Sequence, residues 1–340
     1  MSVALVRFEV RPQNVGHFAE LFEISKDAAK IRYANFQVWN LKGANLKDKF
    51  LNLSHLIVTN DIEHLHIEWI HDSVEYLVPL NELLTRLDIT WTGTGSVSHI
   101  LRGVNRDYSL SKVLRKLKPS RVLLGIFTWD NLLVEEAPAE YPRLLDLKDY
   151  QSISVNKRIE LDCCSWREDN PRQVLGIVGQ LYPYRGVSLL INRFIRFPRE
   201  PILLAGSFPR NNYSWKQLFF LILGKLTGKI FFKPYWLKDS KDLNHLLCHI
   251  DALVIDTMQY PQPSGIATRA RHFGIPVLIN SHDSFLGELS KLDRGILKLD
   301  LLNTSPRELK VILDRLKKYP PIKAPNKADQ INSFVTGWSQ

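Results

Sequence analysis

The chain has 340 residues, enough for two domains at roughly 150 residues each. Hydrophobic residues make up 45% and charged residues 24%, which excludes a disordered chain, a collagen-like repeat and a disulfide-stapled miniprotein. Forty-five Lys and Arg against 35 Asp and Glu leave a net charge of +10, which biases partners towards anions (nucleotides, phosphates, nucleic acid or an acidic membrane face) without choosing among them.

From the amino terminus, residues 1–9 carry charge too early for a signal-peptide core and read as a buried first strand. A helical pattern begins at Gly16. Residues 36–39, 56–59 and 89–92 are strand-like, the last followed by Gly93-Thr94-Gly95, and residues 121–125 are a further strand. Alternation of this kind predicts a mostly parallel sheet covered on both faces. Residues 135–170 are rich in Pro, Glu, Asp and Arg with weak periodicity, and the interdomain linker is placed there. Strands at 173–178, 201–205, 252–256 and 276–279 then alternate with helices at 187–194, 241–249 and 264–273, which predicts a second α/β domain. The longest apolar stretch, residues 218–224, is stopped by Lys225 and falls far short of the roughly 20 residues of a spanning helix. The expectation is a cytoplasmic protein, soluble or peripheral on the inner membrane face. Three cysteines, with no CxxC pair and no Cys/His zinc spacing, fit a reducing compartment and predict no structural metal.

In open α/β sheets, ligands sit beyond the carboxyl ends of the strands. Gly179 directly follows a strand, and the loop it opens continues through Gln180 to Arg185-Gly186 beside a helix start. The unpaired N–H groups of such a start favour a phosphate, and Arg185 adds a guanidinium fork; the alternative is a surface loop with a solvated Arg. Residues 261–266, Pro-Gln-Pro-Ser264-Gly265-Ile266, pair a stiff entry with a helix N-cap, so Ser264 and Gly265 offer hydroxyl and backbone donors at a positive helix end; the alternative is an ordinary cap. Gly206-Ser207 and Asn280-Ser281-His282-Asp283 follow strands of the same sheet. Polar loops thus gather on one sheet edge as a nucleotide cleft, and Gly16-His17 and Thr94 of the first half are candidates to face it.

Val178-Gly179 through Arg185-Gly186, Leu204-Ala205-Gly206, Ile250-Asp251-Ala252, Ser264-Gly265-Ile266 through Ala270, and Gly274-Ile275-Pro276-Val277 resemble, in order and spacing over residues 174–288, the carboxyl-terminal domain of GT-B glycosyltransferases of the group 1 (family 4) kind. The resemblance implies an α/β, GT-B fold: two Rossmann-like domains facing each other across a cleft. It implies a nucleotide-sugar held mostly by the second domain, a glycan or lipid-linked acceptor held by the first, and no cofactor or metal. The implied boundaries are 1–160 for the acceptor domain, 170–318 for the nucleotide-sugar domain, and a segment 319–340 crossing back to the first. Arg185 falls on the family's phosphate-binding lysine, while Gln180 stands where many members have a second cation. The family's two glutamates are matched by Pro261 and Arg269. Arg has no acceptor for a ribose hydroxyl, so Arg269 is assigned, with Arg185, to phosphate or an acidic sugar in the catalytic set. Gly179, Gln180, Gly186, Gly206, Ser207, Ser264, Gly265 and Ile266 form the implied donor site.

Other signals have bland readings beside them. His64-Leu-His66 puts two imidazoles on one strand face, read as structural or acceptor-side rather than as a metal pair. Cys163-Cys164 reads as two inert thiols. Arg102, Arg106, Lys112, Arg115, Lys116, Lys118 and Arg121 make residues 102–121 either a solvated basic helix face or a dock for anionic lipid. Lysines among aromatics at residues 215–236 add to that surface, although Trp215, Phe219, Phe220, Phe231 and Phe232 read as core. The predicted activity is metal-independent sugar transfer from a nucleotide-sugar. The rivals are a non-catalytic GT-B protein acting as sensor or partner subunit and, on charge alone, a nucleic-acid-binding protein; no nucleic-acid partner is expected.

Overall fold

The computed structural model describes residues 2–8, 17–41, 46–68, 74–96, 121–125, 143–144, 160–234, 240–256, 265–280, 290, 293–323 and 326–339. The chain divides into two compact units, Met1–Tyr150 with Pro325–Gln340, and Gln151–Ala324.

The first unit runs β1 (Val3–Phe8), α1 (His17–Arg32), β2 (Phe36–Leu41), α2 (Leu46–Thr59), β3 (His64–Glu68), α3 (Val74–Arg86), β4 (Thr90–Ser96), β5 (Arg121–Gly125) and β6 (Arg143–Leu144). Its sheet has the order β2-β1-β3-β4-β5-β6 and is parallel throughout. Apolar Val3, Ala4, Leu5 and Val6 are all buried, as are Leu65 and Ile67, as expected of strands covered on both faces. Two local expectations are corrected. Residues 56–59 are the last turn of α2: Leu53 and Ile57 are buried four apart while Val58 is exposed, a helical period carried by β-branched residues. Gly93, Thr94 and Gly95 continue β4, in register with Val122, Leu123 and Leu124 of β5, and are not a loop.

The second unit runs α4 (Glu160–Asp169), β7 (Leu175–Gln180), a 3-10 turn (Pro183–Arg185), α5 (Val187–Arg196), β8 (Ile202–Ser207), α6 (Trp215–Leu226), β9 (Ile230–Lys233), α7 (Ser240–Leu247), β10 (Ala252–Ile255), α8 (Gly265–His272), β11 (Val277–Ile279), β12 (Ile296–Lys298) and α9 (Pro306–Leu316). The parallel sheet has the order β12-β11-β10-β7-β8-β9. Its strand order reverses between β7 and β10, the switch point at which α/β sheets bind ligands. Val187, Leu190, Ile191 and Phe194 form the buried stripe of α5 at helical spacing; each contributes about 1.5–3 kcal/mol by leaving water. Helix α4 lies within the stretch expected to be linker. It packs on the second unit: Trp166 donates Nε1–H to Gly228 O at 2.9 Å, and the Arg167 guanidinium pairs with Asp251 at 2.9 Å.

Helix α6 departs from expectation. Trp215 is 83% exposed and Leu226 80%, with Phe219 and Ile222 also exposed between them. Spacings of four, three and four put these side chains on one outward stripe, so Trp215 and Phe219 are not core. Phe220 and Phe232 pack against the core from its margin, and Phe231 rests on Trp166.

The chain then returns to the first unit as α10 (Lys327–Ser339), which packs on α1. Phe334 is fully buried there, and Lys327 pairs with Asp27 at 2.7 Å.

Candidate functional site

The carboxyl ends of β7 and β8 meet glycine to glycine. Gly179 pairs in register with Gly206, and Gln180 with Ser207. Both glycines have positive φ, +112° and +139°, and a Cβ on Gly206 would overlap the Gly179 carbonyl. The two backbones therefore approach more closely than any side chain allows. Leu181 N–H donates to Ser207 O at 2.8 Å, and the buried Tyr213 hydroxyl donates to Leu181 O. The loop leaving β7 is thus fixed at its root.

Pro183 starts the 3-10 turn, Arg185 ends it, and Gly186 at φ +103° turns the chain into α5. A Cβ on Gly186 would stand 3.3 Å from the Asp256 amide and 3.3 Å from Ile177 Cδ1. That closeness sets Arg185 and the first turn of α5 beside the residue that leaves β10. The first amides of α5 have no intrahelical acceptor, and the cap residue brings no side chain to occupy them. Arg185 is half-buried, and the Tyr182 and Tyr184 rings stack at 5.1 Å alongside. Asp256 accepts from Asn280 Nδ2 at 3.4 Å, which ties the ends of β10 and β11. Backbone dipole, a guanidinium and a glycine-thin floor can bind an anion; Asp256 can accept hydroxyl donors.

Gly265 and Ile266 open α8 on the same sheet edge. Gly16 and Ser264 lie outside the described residues, as do residues 102–120 of the basic stretch; of His17 and Thr94 only the backbone is described, in α1 and β4. Arg269 lies in the body of α8, 1% exposed, with Nη1 donating to Asn244 Oδ1 of α7 at 2.8 Å. Its guanidinium is built into the packing of two helices, and this placement lends no support to a catalytic role beside Arg185. Asp256 closes the apolar run of β10 and is absent from the sequence-predicted site, although an acid directly after a buried strand is itself a signal.

In the first unit, His64, His66 and Glu68 share one face of β3 by alternation. His66 Nδ1 meets Thr92 Oγ1 at 2.7 Å, and His64 meets Thr90 at 2.7 Å and Thr92 at 3.1 Å. Burial holds the imidazoles low, His64 at about 4 and His66 at about 3. Burial pushes Glu68 up to about 7 against the opposing pull of Ser25 and Arg7. Ser25 of α1 donates to Glu68 Oε1, while the buried Oε2 has no hydrogen-bond partner among the described residues. A carboxyl held near neutrality at the end of β3, beside that sheet's own switch point between β1 and β3, can hold or take up a proton.

Neither the glycine edge nor the histidine face gathers a metal set among the described residues; the one such cluster, Cys164, His245 and His249, is elsewhere. A cavity of about 830 Å³ opens at the amino-terminal ends of the second sheet's strands, lined by Arg172, Arg199, Arg307 and Lys310 among others. It is away from the glycine loops.

Solved structures share this architecture over nearly the whole chain. A sucrose-phosphate synthase from Thermosynechococcus elongatus superposes with a TM-score of 0.61 at 12% identity, covering 100% of this chain and 98% of that one. Anabaena HepE in complex with UDP-glucose gives 0.59 at 12%, covering 98% and 93%. The chain has the GT-B fold. The fold is not confined to transferases: a UDP-GlcNAc 2-epimerase from Neisseria meningitidis bound to UDP-GlcNAc gives 0.57 at 11% identity, covering 99% and 100%. No family model and no curated protein matches the sequence.

Proposed function

We propose that this GT-B chain is a glycosyltransferase that takes a sugar from a nucleotide-sugar and passes it to a glycan or lipid-linked acceptor. The observation that carries the reading is the carboxyl edge of β7 and β8 beside the switch point, where Gly179 and Gly206 thin the floor and Arg185 stands at the start of α5. The diphosphate lies over Gly179, Gln180, Gly206 and Ser207, with Arg185 and the α5 amides on its charge. Ser264, Gly265 and Ile266 bring the second helix start. Asp256 accepts from ribose hydroxyls, the task for which Pro261 and Arg269 have no acceptor. Fixed donors aimed at the leaving diphosphate stabilise the charge that develops as the sugar departs, without a metal. Solved neighbours of this fold are complexes with UDP, UDP-glucose, UDP-GlcNAc and ADP, which supports a nucleoside-diphosphate donor and leaves the base open.

The test is thermal unfolding against a panel of nucleoside diphosphates, followed by transfer and hydrolysis assays with the matching nucleotide-sugars. A base-selective rise in midpoint that Arg185→Ala abolishes supports the reading. No response to any nucleotide at millimolar concentration overturns it.

The exposed stripe of α6 gives the acceptor a setting. Trp215, Phe219, Ile222 and Leu226, with Lys216 and Lys225 exposed beside them, suit the interface of an anionic bilayer. The stripe supports a peripheral enzyme on an inner membrane face with a lipid-linked acceptor. Sedimentation with vesicles containing phosphatidylglycerol, lost in Trp215→Ser/Leu226→Ser, checks it; equal sedimentation of both proteins removes the membrane from the proposal.

A second reading has a specific observation behind it. The position of the family's ribose-binding glutamate is Arg269, now inside the packing. A chain that kept the diphosphate cradle and lost turnover is a nucleotide-sugar sensor or partner subunit. Tight donor binding with neither transfer nor hydrolysis is its signature.

A further inference from the structure

Three side chains that the diphosphate site does not use meet at the opposite edge of the second unit. Cys164 is in the middle of α4, His245 is in the last turn of α7, and His249 is one turn further on. His245 Nε2 and His249 Nε2 are 3.2 Å apart, and Cys164 Sγ is 3.6 Å from His249 Nε2. The three ligand atoms all lie within 4.8 Å of one another. Tetrahedral zinc with bonds of about 2.0–2.1 Å to nitrogen and about 2.3 Å to sulfur spaces two nitrogens about 3.3 Å apart and sulfur from nitrogen about 3.6 Å. The His245–His249 and Cys164–His249 spacings match these values, and the Cys164–His245 spacing is within 4.8 Å.

The geometry also suits a cation. His249 Nε2 faces a second ring nitrogen and a sulfur at once. A ring nitrogen carries one proton or one lone pair and can direct it at only one of them, whereas an ion between them receives all three lone pairs. The segments that carry the ligands are held without it. His249 N–H donates to Leu246 O, continuing the turn of α7, and Trp166 and Arg167 tie α4 to Gly228 and Asp251. His245 is buried, while Cys164 and His249 are half-buried, so one side of the cluster is open for a water as fourth ligand.

We propose that Cys164, His245 and His249 bind a zinc ion, with the fourth coordination position open to solvent. Binding deprotonates the thiol, its proton leaving to bulk water, and the ion staples α4 to α7. Arg167 of α4 pairs with Asp251, which directly precedes β10, so α4 is anchored at the amino-terminal end of that strand while the diphosphate loops leave the carboxyl ends. The sequence hides the site because Cys164 and His249 are 85 residues apart.

The experiment uses the full chain, stripped with a chelator, dialysed, and titrated with Zn²⁺ against a chromophoric competitor, then with Co²⁺. Expected are a single equivalent of tightly bound Zn²⁺, a midpoint raised by several degrees, and Co²⁺ spectra with a thiolate charge-transfer band and strong tetrahedral visible bands. Cys164→Ser and His249→Gln each weaken Zn²⁺ binding by more than the ~10–100-fold typical of losing an outer-shell partner. Cys248→Ser, at an exposed thiol outside the cluster, changes nothing. The proposal is overturned if the wild type binds no Zn²⁺ at micromolar concentration, if its Co²⁺ complex lacks the thiolate band, or if Cys248→Ser loses as much affinity as Cys164→Ser. The Co²⁺ spectrum of the wild type decides the matter even where a variant fails to fold.

Discussion

The two sheets have six parallel strands each and put their polar residues in different places. In the second unit the strand interiors are apolar, and polarity begins where β7, β8, β10 and β11 end, at Gln180, Ser207, Asp256 and Asn280. In the first unit the polar groups are inside the sheet, as His64, His66 and Glu68 on β3 facing Thr90 and Thr92 on β4. One sheet gives up side chains at its edge so that a ligand can meet backbone. The other keeps titratable groups buried, where their protonation is coupled to folding. A common architecture thus leaves backbone bare at the strand ends of one unit, where the proposed diphosphate site lies, and buries titratable side chains in the other.

The sharpest way to break this contrast is at the glycine floor. Gly206→Ala forces a Cβ into the Gly179 backbone at φ +139°. Left-handed strain and overpacking together cost about 3–4 kcal/mol, read as a drop in urea midpoint, and the diphosphate response disappears with it. Gly228→Ala, at φ +67° with open space around it, is the control; it costs only about 1 kcal/mol.

Next comes the buried carboxyl. Folded Glu68 titrates at about 7 and an unfolded chain near 4.5. Between those values the folded chain keeps a proton that the unfolded chain has lost, so stability falls as pH rises through the window and is level above it. The ceiling is about 3 kcal/mol. Glu68→Gln removes that slope in urea titrations run at stepped pH. The histidines act in an overlapping window with the opposite sign: held at about 4 and 3 against 6.5 unfolded, they contribute stability that is present above 6.5 and lost as pH falls towards those values, so the Glu68 slope is read as the difference between wild type and Glu68→Gln. Equal pH profiles for wild type and Glu68→Gln would erase the contrast between the sheets.

Smaller still is Arg185→Ala. Loss of one charge-assisted contact weakens a nucleoside diphosphate by about 1.5–3 kcal/mol, or roughly 10–100-fold in Kd by calorimetry, with the unfolding midpoint of the free protein unchanged. Last is Ser305→Ala. It removes the capping box in which Ser305 Oγ accepts from the Glu308 amide. The cost is about 1 kcal/mol by thermal melt, with nucleotide affinity untouched because α9 is remote from the glycine edge.

The second unit was the more legible because its strands are unbroken apolar runs punctuated by glycine and its helices keep one apolar stripe, as Val187, Leu190, Ile191 and Phe194 do. Reading failed where composition and periodicity disagreed. Ile57, Val58 and Thr59 are β-branched yet end a helix, since their partners are Leu53 and the core below. Glycine at 93 and 95 suggested a loop but serves a strand. Trp215 and Phe219 were assigned inward on hydrophobicity, although their spacing puts them opposite Leu218 and Leu221, which are turned towards the core. Within the site, Arg185 and the glycines were visible as motif and turn. Arg269 has Asn244 as a partner, which its match to a family position does not foretell. Asp256 was hidden at the end of an apolar run.

The return of α10 to α1 has a consequence for synthesis. The unit spanning Gln151–Ala324 lies wholly between the two parts of the other. It is complete on the ribosome as soon as its own residues have emerged. The first unit, though translated earlier, still lacks Phe334 against α1 and the Lys327–Asp27 pair until the final helix arrives. Birth order and finishing order are therefore reversed, and a free chain truncated after Ala324 carries every residue of the second unit and a first unit with an uncovered flank.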